Sequence, residues 1–193
     1  MIAIILQLAL FLIILIALAV TLGNYISNVI EGKNTFLSCI LKPIETFLYK
    51  FFKVDEDAQM DSKHYIVSVL LFSVIGFIFL FVLLLLQKFL PLNPQHFNGV
   101  NWATAINTTV SFVTNTNWQS YSGEETLSYL SQMLGLSLQN FLSAAVGLAV
   151  VMAFMRGFAR KSTDKIGNFW VDLTRSIIYI VAVKHFIFSY VYC

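Results

Sequence analysis

The chain has 193 residues, of which 58% are hydrophobic and only 11% are charged. Soluble domains carry about 25% charged residues, so this composition excludes an ordinary soluble protein and indicates an integral membrane protein. The formal net charge of +2 is too small to indicate a nucleic-acid-binding protein.

The first predicted element is a membrane span over residues 2–22. No charged residue occurs between Met1 and Leu22, and an apolar run of about 20 residues is long enough to cross a bilayer. A cleavable signal would have a basic start and a shorter apolar core. We therefore interpret this segment as a retained helix.

A long polar connection follows over residues 23–64. Its middle part, Phe36–Phe52, is amphipathic and rich in aromatic residues. This pattern predicts a helix that lies in the membrane interface, and a surface that docks a partner protein is the alternative. The two cysteines, Cys39 and Cys193, have no metal-like spacing, and we interpret Cys39 as a small apolar residue.

The second predicted span covers Tyr65–Leu90, and a shorter helix follows over Trp102–Val113. Asn101 is placed to cap the start of this shorter helix. Helical runs of about 10–14 residues are more often re-entrant or interfacial than spanning. We expect a re-entrant pore helix, with a helix that simply ends in an outside loop as the alternative.

The uncharged segment after this helix is the candidate functional segment. It consists of Thr114, Asn115, Thr116, Asn117, Trp118 and Gln119. Backbone that leaves a helix at membrane depth is tolerated only where it lines a cavity or a water path, and its carbonyls can replace the hydration shell of a cation. We predict that the carbonyls of Thr114–Asn117 bind a cation, favoured by the negative end of the helix dipole. Trp118 and Gln119 are expected to support the loop from behind.

A third span is predicted over Leu134–Phe158. Ser122 and Glu125 have the spacing of a capping box, which predicts the start of the helix that leads into this span. Within the span, Ser143 and Gly147 form a face of small residues that predicts close helix packing. The amides of Gln139 and Asn140 either line an ion path or bond to a neighbouring helix.

The fourth predicted segment, Phe169–Val191, is the least regular of the four. Asp172 and Arg175 lie three residues apart at its start and are expected to form an ion pair. Lysine and arginine residues are concentrated in connections 23–64 and 156–168, where they include Arg160 and Lys161.

Positive residues stay on the cytoplasmic side of a membrane. We therefore expect both of these connections to be cytoplasmic and the N-terminus to be outside.

Together these elements predict an all-α integral membrane fold with about four transmembrane helices and one re-entrant pore helix. We divide the chain into an N-terminal helix with its cytoplasmic connection (1–64), one complete span–pore helix–filter–span unit (65–158), and a loop with the start of a second unit (159–193). No phosphate-binding loop or nucleophile–base constellation occurs in the sequence. We therefore predict that the chain is not an enzyme, with no catalytic residue and no organic cofactor.

Four sequence motifs are specific enough to indicate a family. They are LPLNP at 90–94, VSFVTNTNWQSYSGE at 110–124, QNFLSAA at 139–145 and GNFWVDL at 167–173. These motifs resemble those of the potassium-binding A subunit of the bacterial Kdp potassium-transporting ATPase. The resemblance covers about residues 1–180.

That resemblance implies a potassium-transporter fold, in which four span–pore helix–span units in one chain surround a central pore. It implies that potassium binds from outside and passes to an ATP-hydrolysing B subunit, in a complex with C and small F subunits and lipids of the bacterial cell membrane. By position, the filter falls on Asn115, Thr116 and Asn117, with Gln119 just behind.

The chain departs from the family in length, and residues 181–193 do not resemble the family pattern. The resemblance therefore implies a truncated or frameshifted reading frame that is inactive alone. Two alternatives remain open. One is a small homotetrameric cation channel in which four copies supply four filters, and the other is a non-transporting membrane interaction protein.

Overall fold

The computed structural model describes residues 2–159 and 165–183. Its helices are α1 (Ile2–Ile30), α2 (Ser38–Phe52), α3 (Ser62–Leu86), α4 (Trp102–Val113), α5 (Gly123–Thr126), α6 (Leu138–Ala159) and α7 (Phe169–Arg175). Strands β1 (Met60–Asp61) and β2 (Lys165–Gly167) form a short antiparallel pair. A 3-10 turn, Gln87–Phe89, extends α3, and π-helical turns precede α6 (Ser131–Ser137) and follow α7 (Ser176–Val181).

Three helices of the described part are long and apolar enough to cross a membrane. They cover Ile4–Ile30, Ser62–Phe89 and Ser131–Ala159. The expectation of a mostly helical membrane protein is confirmed at this level. The fourth predicted segment is described only as far as residue 183. Arg160, Lys161 and Cys193, which the sequence analysis also named, lie outside the described residues.

The short helix α4 has the predicted bounds and the predicted cap, since the Asn101 side chain accepts a hydrogen bond from the Ala103 N–H at 3.0 Å. It packs in a core formed by α3 and the segments that follow α4. The fully buried members of this core include Leu80, Leu84 and Ala105. The core fixes α4 beside α3 along its length.

Ser122 does not start the third span, so that prediction is wrong. Its hydroxyl donates to Glu124 Oε2 at 2.7 Å, and the helix that follows is only four residues long. The long helix begins at Ser131, whose N–H is bonded to the buried Ser128 hydroxyl at 3.2 Å. The capping pattern is local, whereas the start of the long helix is decided by which serine becomes buried.

A fully buried glutamine joins the end of α3 to the connections on either side of α4. The Gln87 Nε2 group donates to the carbonyls of Asn98 at 2.6 Å and Thr126 at 2.9 Å. Its Oε1 atom accepts from the Ser128 N–H at 3.2 Å and the Ser131 hydroxyl at 3.1 Å. One side chain therefore joins the end of α3 to two other stretches of the chain, at Asn98 and at 126–131.

Replacing Gln87 with leucine is expected to lower the free energy of unfolding by roughly 2–4 kcal/mol, because several buried polar groups lose their partners at once. Thermal unfolding of the purified chain in detergent measures the effect. Gln95→Leu is the matched control, since Gln95 is exposed and bonds only to the Tyr129 hydroxyl. Equal stability of the two variants would contradict the conclusion that the hydrogen bonds of Gln87 stabilise the fold.

The predicted ion pair between Asp172 and Arg175 does not form. Asp172, 1% exposed, is instead bonded to Arg156 through Nη1 at 2.6 Å and Nη2 at 2.8 Å. Arg175 donates through Nε to Glu45 at 2.9 Å. A buried charge needs a partner that satisfies it fully, and α6 and α2 bring better-placed partners than the adjacent helical turn.

Glu45 of α2 faces Arg175 and Tyr179 of the last described helical segment and accepts three hydrogen bonds. The donors are Arg175, the Tyr49 hydroxyl at 2.8 Å and the Tyr179 hydroxyl at 2.9 Å. Burial opposes ionisation of this carboxyl, but the three donors outweigh it and hold its pKa below the usual range. The ionised form of Glu45 therefore stabilises the folded chain.

This lowered pKa predicts a pH dependence of stability. The contribution of Glu45 is fully present above the ordinary glutamate pKa of about 4.3, and it is lost as the pH falls through the lowered value of the folded state. Melting temperatures measured at neutral and acidic pH should fall less steeply for Glu45→Gln than for the unmodified chain. Glu125→Gln, which changes an exposed carboxyl outside this network, is the control. Parallel profiles for all three proteins would contradict the assignment.

Candidate functional site

The candidate loop leaves the C-terminal end of α4 and lies between α4 and α6. Residues 114–118 are exposed, and Gln119 is half-buried. The helix behind the loop is buried on the side that faces the protein, where Thr108, Thr109 and Phe112 are 3% exposed or less. The loop is therefore an accessible edge on a fixed support.

The sign of the backbone angle φ alternates along residues 115–117 of the loop. Asn115 has φ +60° and Asn117 has φ +58°, whereas φ of Thr116 between them is not positive. Asparagine adopts this left-handed region more readily than other non-glycine residues, and β-branched residues such as threonine rarely do so. The order Asn–Thr–Asn therefore suits the observed backbone.

Three consecutive N–H groups of the loop converge on one serine of α4. The N–H groups of Thr116 and Asn117 donate to the Ser111 carbonyl at 2.8 Å and 3.1 Å. The Trp118 N–H donates to the Ser111 hydroxyl at 2.6 Å. Ser111 itself is only 7% exposed, so these bonds lie on the protected side of the loop.

These bonds decide where the carbonyls of the loop point. In a planar trans peptide the C=O of one residue is antiparallel to the N–H of the next. Because the N–H groups of Thr116, Asn117 and Trp118 face Ser111, the carbonyls of Asn115, Thr116 and Asn117 face away from it. The Asn115 N–H donates to the Phe112 carbonyl at 3.3 Å, which directs the Thr114 carbonyl away from the helix in the same manner.

Side chains of the loop are tied to their surroundings. The Ser143 hydroxyl of α6 lies 3.2 Å from Asn115 Oδ1, and the Asn117 side-chain amide donates to the same oxygen at 3.3 Å. The Thr114 hydroxyl donates to the Val110 carbonyl at 2.8 Å. With the side chains occupied in this way, the backbone carbonyls are the groups available to a ligand.

The structure brings Thr114, Asn115, Thr116 and Asn117 together in a single turn. Trp118 supports the loop through its backbone N–H, which bonds to Ser111, while 56% of the residue is exposed. Sequence reasoning missed Ser111. The available signal was a hydroxyl in the last turn of α4, on the same face as the buried Thr108.

Chemically, the loop can offer oxygen dipoles to a weakly hydrated cation. The loop itself has no charged residue, and the described residues include no group of three or more His, Cys, Asp or Glu side chains that could hold a metal ion. A row of backbone carbonyls facing one way is the arrangement that replaces a cation's hydration shell in selectivity filters. One such row covers only one side of an ion.

The two small residues predicted to form a packing face of α6, Ser143 and Gly147, have different surroundings. Ser143 contacts the candidate loop, as described above, whereas a side chain built at Gly147 would meet no atom within 4 Å. The close packing of α6 instead involves Ala145, Ala149 and Ala153, which lie in one buried cluster with Tyr65.

Comparison with known proteins gives consistent matches along almost the whole chain. The family model described as potassium-transporting ATPase A subunit matches residues 9–192. The matched range extends past residue 180, to residue 192.

Curated relatives with the name potassium-transporting ATPase potassium-binding subunit are similar to the chain. The Clostridium perfringens protein is 54% identical over 185 residues, which are 96% of this chain and 32% of the relative. The Clostridium botulinum (strain Eklund 17B) protein is 52% identical over 94% of this chain and 31% of its own length. The Pseudomonas aeruginosa protein is 52% identical over 92% and 31%. The chain thus spans about a third of the length of these relatives.

Proposed function

The chain belongs to the family of potassium-transporting ATPase A subunits, and from this premise we propose that loop 114–117 supplies one side of a potassium-binding filter. The observation that carries the proposal is the direction of the carbonyls, which the bonds to Ser111 turn away from α4. The potassium ion binds to the backbone oxygens of Thr114, Asn115, Thr116 and Asn117. Gln119 supports the loop.

In this proposal α4 is a re-entrant pore helix between the spans formed by α3 and α6. It enters from the outside, and its C-terminal end, with a partial charge of about −0.5, points at the ion. Residues 65–158 then form one span–pore helix–filter–span unit. The N-terminus is outside, and the lysine-rich connection 23–64 is cytoplasmic.

One row of carbonyls cannot surround an ion, so the proposal includes oxygens from other segments of the whole protein. The relatives are about three times as long as this chain, which leaves room for further units of the same kind. ATP hydrolysis occurs on a separate B subunit, with C and F subunits and membrane lipids completing the complex. Within that complex this chain contributes one side of the ion-binding filter, and we assign it no catalytic residue.

A chimera tests the proposed function directly. The matching third of the Clostridium perfringens relative is replaced by this chain, and the complex is purified with the partner subunits of that organism. We expect ATP hydrolysis that is stimulated by potassium and not by sodium, with a half-maximal potassium concentration close to that of the parent complex. A complex that assembles but hydrolyses ATP without any dependence on potassium would contradict the proposal.

Ser111 is expected to act as a positioning residue for the filter. Ser111→Ala removes the hydroxyl that holds the Trp118 N–H at 2.6 Å, a hydrogen bond worth about 0.5–1.5 kcal/mol. In the chimera this change should raise the half-maximal potassium concentration by about 3- to 10-fold at unchanged maximal ATPase rate. Ser120→Ala, which alters an exposed hydroxyl close by, is the control. An equal effect of both changes would show that Ser111 has no special role.

A further inference from the structure

Helix α2 presents three distinct faces, and among the described residues only one of these faces is buried against other parts of the chain. Glu45 and Tyr49 are buried on the inner face, and Leu41 and Leu48 pack beside them against a cluster that contains Val29 of α1. At about 100° per residue, these four positions fall within an arc of about 100°. The ion pair with Arg175 fixes the rotation of the helix about its axis.

The second face is apolar and exposed. It is formed by Ile40, Ile44, Phe47 and Phe51, whose exposed fractions are 69%, 48%, 64% and 69%. These positions fall within an arc of about 60°, centred about 120° from the inner face. Four large apolar side chains on one flank of a helix form a contiguous patch that requires a cover.

The third face is polar and positively charged. It is formed by Cys39, Lys42, Thr46 and Lys50, which are all exposed. These positions are centred about 110° from the inner face and about 130° from the apolar face. The helix itself contains one acidic residue, Glu45, which is buried and paired with Arg175. The charges on its exposed surface are therefore all positive.

We infer that α2 lies in the membrane interface, with its apolar face among the acyl chains of the inner leaflet and its lysine face on anionic phospholipid headgroups. Amphipathic helices with lysine on one side and large apolar residues on the other bind in this way. Each lysine near such a surface attracts anionic lipids. The inference concerns α2 alone and does not depend on the ion loop.

The position of α2 in the chain favours lipid over a partner protein. It connects the ends of two helices that are long and apolar enough to span a membrane, Ile4–Ile30 and Ser62–Phe89. Short connections hold it near both ends, so it lies at the level where the acyl chains give way to headgroups. The separation of apolar and cationic flanks matches the two layers of that boundary.

Nitroxide accessibility tests the arrangement in the whole chain reconstituted in bilayer discs of phosphatidylcholine and phosphatidylglycerol. Single labels are placed at Phe47→Cys or Ile40→Cys on the apolar face and at Thr46→Cys on the lysine face, after Cys39→Ser and Cys193→Ser. We expect the first two labels to be relaxed by oxygen much more than by a water-soluble nickel chelate, and the third to show the reverse order.

Two outcomes would overturn the inference. Equal accessibility of positions 47 and 46 to the nickel chelate would show that the apolar face is in water. Low accessibility of position 47 to both reagents would show that protein, not lipid, covers it. Because the labelled positions are exposed, the variants keep the buried contacts of α2 intact.

The lysine face is tested by the effect of anionic lipid on thermal stability. Phosphatidylglycerol should raise the melting temperature of the unmodified chain above its value in pure phosphatidylcholine discs. The variant with Lys42→Gln and Lys50→Gln should lose at least half of this rise. Lys88→Gln, at the far end of α3, should retain it. An unchanged rise in the double variant would overturn the assignment of headgroups to this face.

Discussion

Replacing Arg156 with leucine is expected to destabilise the protein by about 3–5 kcal/mol, the cost of leaving a buried charge without its partner. Asp172 is almost completely buried, and Arg156 donates two hydrogen bonds to its carboxylate. The Tyr65 hydroxyl, 3.1 Å from Asp172 Oδ2, cannot neutralise the charge that would remain. Because α6, α7 and the β1–β2 pair meet at this point, their packing should loosen together.

The loss extends beyond the pair itself. Arg156 also donates to the backbone carbonyls of Ile30 at 3.3 Å and Ile166 at 3.3 Å, so it joins the end of α1 to β2. We expect the Arg156→Leu chain to be recovered from membranes in much lower amount and to unfold at a lower temperature in detergent.

A double-mutant cycle separates the charge from the shape. Combining Arg156→Leu with Asp172→Leu removes both charges, and a buried ion pair replaced by apolar residues is often near neutral. The double variant should therefore be more stable than Arg156→Leu alone. Arg156→Lys keeps the charge but loses the bidentate geometry. Its stability should be higher than that of the two leucine variants and lower than that of the unmodified chain. Strictly additive losses would contradict the buried pair as the cause.

Replacing Asn115 with valine is expected to raise the half-maximal potassium concentration of the chimeric complex by about 5- to 30-fold. The change places a β-branched residue at φ +60°, which costs about 1–2 kcal/mol in the left-handed region. It also removes the contact between Asn115 Oδ1 and the Ser143 hydroxyl. The loop then spends less time with its carbonyls aligned, and apparent affinity falls with the competent fraction.

Asn115→Gly is the matched variant. Glycine adopts a positive φ without strain, so only the side-chain bonds to Ser143 and Asn117 are lost. Its effect on potassium affinity should be clearly smaller than that of valine, and the maximal ATPase rate should stay unchanged for both. If glycine and valine weaken potassium binding equally, the side chain rather than the backbone conformation governs the site.

The region of α4 was the part most open to prediction from residues alone. Helix α4 has the predicted bounds, Trp102–Val113, because its cap at Asn101 and its hydrophobic spacing are local properties. The polar segment that follows α4 can likewise be recognised from the local sequence alone. Its interpretation as the ion site stays a proposal that the orientation of the carbonyls supports.

Elsewhere, local patterns were misleading. Asp172 and Arg175 have the spacing of a helical ion pair, yet each is paired with a residue on another helix. Ser122 has a capping pattern, yet it precedes only a four-residue helix. In the first case the competing partners, Arg156 and Glu45, are distant in the chain and are brought close by packing. In the second case the distant Gln87 bonds to Ser128 and Ser131, where the long helix begins.

Composition and local periodicity alone were sufficient for the membrane class, for the approximate positions of the three long helices that the structure describes and for the unusual polar segment, because these depend on residues within one or two helical turns. The tertiary structure decided the rest. It selected Ser111 as the anchor of the loop, Arg156 as the partner of Asp172 and Glu45 as the point that orients α2. Each of these requires polar atoms that are not adjacent in the chain to meet within about 3 Å, the hydrogen-bonding distance, and that distance is set by how the loop folds back on α4 and by how the helices pack.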